Sequence, residues 1–85
     1  MEAKDKFINK ANSDHSIEWG NSTWNSSDFS IRNRYDNSAT GKFNKSGSSE
    51  VPWEDFKLMI SQSIERKHFS NKELGDILRN ISNIL

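Results

Sequence analysis

The hydrophobic pattern changes its period once along the chain, and this change limits the possible folds more than any other feature. From Phe29 to Tyr35 the residues alternate, with Ile31 on the apolar side and Arg32 and Arg34 on the other. A period of two is typical of a half-buried strand. In the last third of the chain, apolar residues recur every three or four positions, as in amphipathic helices. Strands followed by helices predict an α+β domain in which the helices cover one face of a small sheet.

The predicted sheet is an antiparallel β-meander of two or three strands over residues 15–45. Ile17 and Trp19 alternate with polar neighbours, which indicates a first strand. Gly41 can adopt the positive φ that closes the hairpin loop after the central strand. Residues 42–45 then return as its partner strand.

Two helices are predicted over residues 53–85, where they form a helical hairpin packed against the sheet. Pro52 suits a helix start because its missing N–H is not needed there, and we expect this first helix to cover residues 53–67. Ser70 and Glu73 form a capping box that marks the start of the last helix. The apolar stripe of the last helix comprises Leu74, Ile77, Leu78, Ile81 and Leu85.

The remaining segments are the N-terminus and the link between the sheet and the helices. Residues 1–14 are predicted to form a short N-terminal helix or tail, since Phe7, Ile8 and Ala11 occupy neighbouring helical positions. Residues 46–52, which begin with Ser and Gly, are predicted to be a connection. A chain of 85 residues is expected to form a single domain.

The predicted core is thin. Only 32% of the residues are hydrophobic, against roughly 45–50% in an average globular protein. Three Trp, one Tyr and five Phe partly compensate, because each aromatic ring buries about 150–250 Å². A domain of this size is marginally stable in any case. We therefore expect the core to be completed by a protein partner or by a second copy in a homodimer.

Composition also removes several classes of function. The chain has no Cys, so a disulfide, a thiolate metal site and a Cys nucleophile are all excluded. The absence of Cys favours a reducing compartment, and we expect a cytoplasmic protein. No apolar run approaches the about 20 residues of a membrane span, and the first residues do not resemble a signal peptide. We expect no membrane association.

No residue pattern indicates catalysis. Asp14, His15 and Ser16 are the residue types of a hydrolase triad, but adjacent residues do not generally form that hydrogen-bonded relay. Two isolated His residues make a metal site improbable. The clustered carboxylates Glu50, Glu54 and Asp55 are explained by favourable charge at a helix N-terminus. We expect no enzymatic activity, no catalytic residue, no metal ion and no cofactor.

Positive charge is concentrated in the middle of a chain whose net charge is zero. Residues 29–47 contain a single acidic residue and four cations, namely Arg32, Arg34, Lys42 and Lys45. Such cations neutralise phosphates, and the nearby rings of Tyr35 and Phe43 can stack on bases. This hairpin is therefore a candidate nucleic-acid surface. An ordinary solvated face, with both rings in the core, fits the same alternation.

Trp24 is the most informative aromatic residue. It lies in the polar stretch 21–28, where little else can bury it, and Trp is enriched at the centres of protein interfaces. Alternatively, Trp24 folds back to cap the sheet. With Trp19 and Tyr35, it forms our set of candidate protein-binding residues.

Protein–protein contact is the function we favour, with nucleic-acid binding through residues 29–47 as the alternative. The chain is short, free of Cys and rich in Asn, Ser, Lys and Ile. In these respects it resembles small proteins of AT-rich bacteria, their phages and mobile elements. That resemblance implies an accessory regulator or inhibitor, or an adaptor.

Overall fold

A four-stranded antiparallel sheet precedes two helices in the computed structural model, which describes residues 1–85. The α+β class is therefore confirmed, with four strands rather than the two or three predicted. The strands are paired in chain order. The elements are β1 (Glu2–Ile8), β2 (His15–Asn21), β3 (Phe29–Tyr35), β4 (Ser49–Pro52), α1 (Trp53–Glu65) and α2 (Asn71–Ile84).

The register of β2 and β3 divides the sheet into two chemically different faces. Trp19 lies opposite Ile31, and Glu18 lies opposite Arg32. Because directly opposed residues share a face, one face carries apolar side chains and the other carries polar ones. The apolar face includes Phe7, Ile17, Trp19, Ile31 and Val51, and the polar face includes Ser16, Glu18, Ser30, Arg32 and Arg34.

The N-terminal segment is a strand, so the predicted helix within residues 1–14 is wrong. Phe7 lies opposite Ile17, and the register shifts between Ala3 and Asp5. Pairing with β2 satisfies the backbone groups on the inner side of β1, and a pattern confined to ten residues cannot reveal such a distant partner. Gly20 permits this pairing, because a Cβ atom there would lie 2.0 Å from the carbonyl oxygen of Glu2.

The strand that pairs with β3 on the side opposite β2 is β4, so the predicted strand at residues 42–45 is also wrong. Phe43 forms only a single bridge with Asp36, while β4 places Val51 opposite Ile31. The predicted connection 46–52 therefore contains a strand. Residues 36–48 form a loop instead, and Gly41 has the predicted positive φ, +70°. We call this segment the 36–48 loop.

The helices begin close to where the sequence predicts. α1 follows Pro52, and it ends two residues before the predicted position 67. At the start of α2, the Glu73 N–H donates to Ser70 Oγ at 3.1 Å, and the Ser70 N–H donates to Glu73 Oε1 at 2.8 Å. The capping box is thus confirmed. The helical layer contacts the sheet through α1, which packs against β3 and β4. Neither helix has the length and apolar character needed to cross a membrane.

No apolar side chain in the molecule is fully buried. The buried residues are small or polar and belong to the polar face and the loop after β2, namely Ser16, Glu18, Gly20, Ser22 and Ser30. On the apolar side, Trp53 packs its ring against Phe29 at 5.3 Å and against Phe56 at 5.2 Å between centroids. The prediction of a thin core is confirmed.

Candidate functional site

The polar face is organised around the Glu18 carboxylate, which is only 3% exposed. Glu18 Oε1 accepts hydrogen bonds from Arg32 Nε at 2.9 Å and Arg32 Nη2 at 2.6 Å. Arg34 Nη1 lies 3.3 Å from the other oxygen, and Arg34 Nε donates to Asp36 at 2.9 Å. Two cations of the predicted nucleic-acid surface are therefore paired with carboxylates inside the fold.

The 36–48 loop covers this network with one aromatic ring. The Cζ atoms of Arg32 and Arg34 lie 4.7 and 4.5 Å from the centroid of the Phe43 ring, which is cation–π geometry. The hydrogen bond to Asp36 is the largest of the effects that raise the pKa of Arg34 above its ordinary value. Each guanidinium group is therefore paired with a carboxylate of the same chain.

Lys42 and Lys45 differ from the two arginines, because neither forms an ion pair and both are exposed. Lys45 shares a recess with Arg32 and Trp24, whereas Lys42 does not line it. Of the four cations predicted as a single patch, Lys42 and Lys45 thus form no ion pair. Of these two, only Lys45 lines the same recess as Trp24.

Trp24 stands between two recesses in the surface. The larger recess, which we call the Trp24 groove, has a volume of about 570 Å³ and is lined by residues that include Trp24, Arg32, Phe43, Lys45 and Glu50. A second recess of about 260 Å³ is lined by Trp24 together with Phe29 and Trp53. The Trp24 residue is 51% exposed. An indole in this position can be covered from either side by a bound segment.

Hydrogen bonds at the base of the loop fix the backbone that carries Trp24. Thr23 donates to Glu50 twice, from its backbone N–H at 2.9 Å and from Oγ1 at 2.8 Å. The Ser22 N–H donates to the Asp28 carbonyl at 2.9 Å and closes the loop. The Trp24 side chain is therefore presented by an ordered turn.

Glu50 is a residue of the site that the sequence analysis assigned only to a helix start. Burial raises its pKa, but the two hydrogen bonds from Thr23 and the positive charges of the Met1 ammonium group and Arg32 outweigh burial, so the net pKa lies below its ordinary value. Glu50 is thus a carboxylate at neutral pH. Its partner Thr23 lies 27 residues away, and no local pattern signals such a distant contact.

Trp19 and Tyr35, the other candidate protein-binding residues, lie away from the Trp24 groove. Trp19 is half-buried on the apolar face. Tyr35 stacks on His15 with ring centroids 4.7 Å apart. His15 is also hydrogen-bonded to Asn9 and Asn33. The structure therefore separates the three predicted aromatic residues, and His15 has structural partners rather than the neighbours of a catalytic triad.

The chain brings together no group of three His, Cys, Asp or Glu side chains that could hold a metal ion. No protein-family model matches the chain, and no curated protein or solved structure is significantly similar to it. Inference about function therefore depends on the chemistry of the Trp24 groove and its surroundings.

Proposed function

We propose that this chain is a cytoplasmic, non-enzymatic protein-binding module, an accessory regulator or inhibitor or an adaptor, that holds its protein partner through Trp24. The observation that supports this proposal is the half-exposed indole, which an ordered loop presents between two recesses. A loop whose backbone is already ordered loses little conformational entropy on binding. Trp is also the residue type most enriched among the few that dominate binding energy.

The lining of the Trp24 groove suggests the chemistry of the partner. Phe43 and Trp24 supply apolar surface, and Lys45 supplies a cation that forms no ion pair. Glu50 is already occupied by Thr23. A protein segment with an apolar anchor next to an acidic side chain would satisfy all of these groups.

Nucleic-acid binding is less well supported. Arg32 and Arg34 are paired with Glu18 and Asp36, which leaves Lys42 and Lys45 as the unpaired cations of the segment. Two phosphate contacts would make log K fall by only about 2 per tenfold rise in salt concentration. An apolar partner suits the half-exposed indole better than this small positive charge suits a polyanion.

Photocrosslinking from the groove, in the cells that produce the protein, tests the proposal. A photoreactive amino acid replaces Lys45, which removes the cation of the groove but keeps Trp24, the proposed anchor, and the same probe at exposed Lys10 serves as the control. We expect a discrete protein adduct from position 45 only. In the probe-bearing protein, Trp24→Ala should abolish this adduct because it removes the anchor, with a loss of affinity of about thirtyfold or more.

The matched control for that substitution is Ser26→Ala in the same loop, which should leave the adduct unchanged. Adducts that disappear on nuclease treatment would support the nucleic-acid alternative instead. Equal protein adducts from positions 45 and 10, or adducts insensitive to Trp24→Ala, would overturn the proposal.

A further inference from the structure

The apolar stripe of α2 is uncovered from Leu78 to its end, whereas Leu74 and Ile77 at its start are half-buried. No Cα atom of α2 lies within 8 Å of a Cα atom of α1 or of any strand. Leu78 is 67% exposed and Leu85 is 98% exposed. On its polar side, Asp76 pairs with Lys72 at 3.0 Å and with Arg79 at 2.9 Å, so the stripe itself carries no charge. A helix of 14 residues is marginally stable alone in water, so α2 needs a surface to cover.

An apolar groove of matching chemistry lies between the apolar face of the sheet and α1. It has a volume of about 360 Å³ and is lined by Ile17, Ile31, Val51, Phe56 and Met59, with Asn33 and Ser49 as its polar groups. No charged side chain lines it. We call it the α1 groove. The chain thus contains an uncovered apolar helix and an unfilled apolar groove.

The surface area shows how much of the molecule is left to cover. The chain exposes 6614 Å², whereas a compact monomer of 9.8 kDa exposes about 5,200 Å². Its radius of gyration, 14.9 Å, also exceeds the about 12 Å of a compact chain of this length. The surplus of about 1,400 Å² per chain is more than the about 800 Å² that each partner contributes to a standard interface, and it is sufficient for a permanent dimer.

We propose that two copies of this chain form a two-fold symmetric dimer in which α2 of each copy lies in the α1 groove of the other. Since one chain carries both the helix and the groove, a two-fold axis makes the same contact twice and leaves neither surface open. The link between the helices, with Lys67 at φ +61°, directs α2 away from its own sheet. This dimer uses the opposite face of the sheet from the Trp24 groove, so it stands independently of the proposed partner.

The experiment compares two variants that each disable one half of the contact. Met59→Asp places a charge in the α1 groove, and Ile81→Asp places one in the stripe of α2. Both residues are largely exposed within a single chain, so each variant should keep its fold, which far-ultraviolet circular dichroism checks. Light scattering after size exclusion should give a mass of about twice 9.8 kDa for the natural chain and about 9.8 kDa for each variant.

Mixing the two variants is the decisive step. The Ile81→Asp chain still has an intact groove and the Met59→Asp chain still has an intact helix, so the mixture should form a heterodimer with one of the two contacts. Isotope labelling of one variant identifies that species by native mass spectrometry. Asn80→Asp, on the polar side of α2, is the matched control and should remain dimeric.

Three results would overturn the proposal. A natural chain that stays monomeric at high micromolar concentration would show that the surfaces do not pair. A Met59→Asp variant that remains dimeric would show that the stripes pair with each other instead. Folded monomeric variants that do not associate on mixing would show that the helix and the groove do not belong to one contact.

Discussion

At the scale of single residues, the most buried ionisable side chain of the molecule is the Glu18 carboxylate, which holds Arg32 and Arg34 under the ring of Phe43. A carboxylate removed from water is tolerated only when opposite charges and hydrogen bonds surround it. The polar face is therefore held together by a set of charges whose members depend on one another.

Glu18→Gln tests that dependence. The substitution keeps the shape of the side chain but leaves two largely buried guanidinium groups short of one negative charge, and we expect a loss of about 2–3 kcal/mol in the free energy of unfolding. Urea denaturation measures it. Glu54→Gln is the control, because Glu54 pairs with Lys57 on the surface, and the loss of this pair and of a negative charge at the helix N-terminus should cost no more than about 1 kcal/mol. Equal effects of the two substitutions would contradict the dependence.

Sequence alternation identified which residues of β3 share a face but not which face is buried. The strand Phe29–Tyr35 was predicted with its exact bounds. Arg32 and Arg34 were expected in solvent because they are charged. Their actual surroundings depend on Glu18, 14 and 16 residues earlier, and on Phe43 in a loop that folds back over them. Such contacts between distant residues produce no periodic pattern in the sequence, so they cannot be predicted from it.

At the scale of elements, the segments predicted correctly are those whose signals are local. The capping box defines the start of α2 by two reciprocal hydrogen bonds within four residues, and Gly41 marks a turn by its own backbone conformation. β1 and β4 were missed because each is stabilised by a strand elsewhere in the chain. Gly20 lies within β2, where the absence of a side chain is needed for the close approach of β1.

Gly20→Ala should therefore detach β1 from the sheet. A Cβ atom at this position would lie 2.0 Å from the Glu2 carbonyl oxygen and 2.9 Å from Ala3 Cα, and backbone atoms cannot move aside without breaking the pairing. We expect the β1 amides to lose protection in hydrogen exchange followed by NMR, while α2 keeps its protection.

The same substitution at Gly75 is the matched control. A Cβ atom there meets nothing within 4 Å, so Gly75→Ala should stabilise α2 by about 1 kcal/mol through helix propensity alone. Unchanged protection of β1 in Gly20→Ala would show that the strand tolerates the added methyl group.

At the scale of the whole molecule, acid is expected to weaken the fold. The pKa of Glu50 in the folded chain lies below its usual value of 4.5, since the hydrogen bonds from Thr23 and the charges of the Met1 ammonium group and Arg32 outweigh burial. A carboxyl group with a lowered folded-state pKa contributes stability that is complete above its unfolded-state pKa and is lost as the pH falls through its folded-state pKa. The stability of the natural chain should therefore fall below about pH 4.5.

Glu50→Gln should flatten this pH dependence, because the substituted side chain does not titrate. Urea denaturation from about pH 6 to about pH 3 measures the slope for both proteins. A residual slope remains in the variant, since the hydrogen bond from the Ser70 N–H also lowers the pKa of Glu73. Identical slopes for the two proteins would contradict the role of Glu50.

The thin core was the whole-molecule property that composition predicted, because 32% hydrophobic residues cannot enclose one another. The arrangement of the exposed surface was not predictable from composition. It depends on α2 standing apart from α1, which follows from the backbone of a link five residues long, 66–70. The sequence shows that apolar area is scarce, and only the structure shows where it remains open.

β1, one of the two outer strands of the sheet, has a further consequence for the protein at high concentration. β1 bonds to a neighbour on one side only, which leaves a row of free amides and carbonyls that could recruit strands from other molecules into fibrils. Charged residues alternate in sign along this margin, from Glu2 and Lys4 to Asp5 and Lys6, and the register shift between Ala3 and Asp5 interrupts its regularity. In a chain with so much uncovered apolar surface, the β1 edge of the sheet is thereby protected from open-ended aggregation.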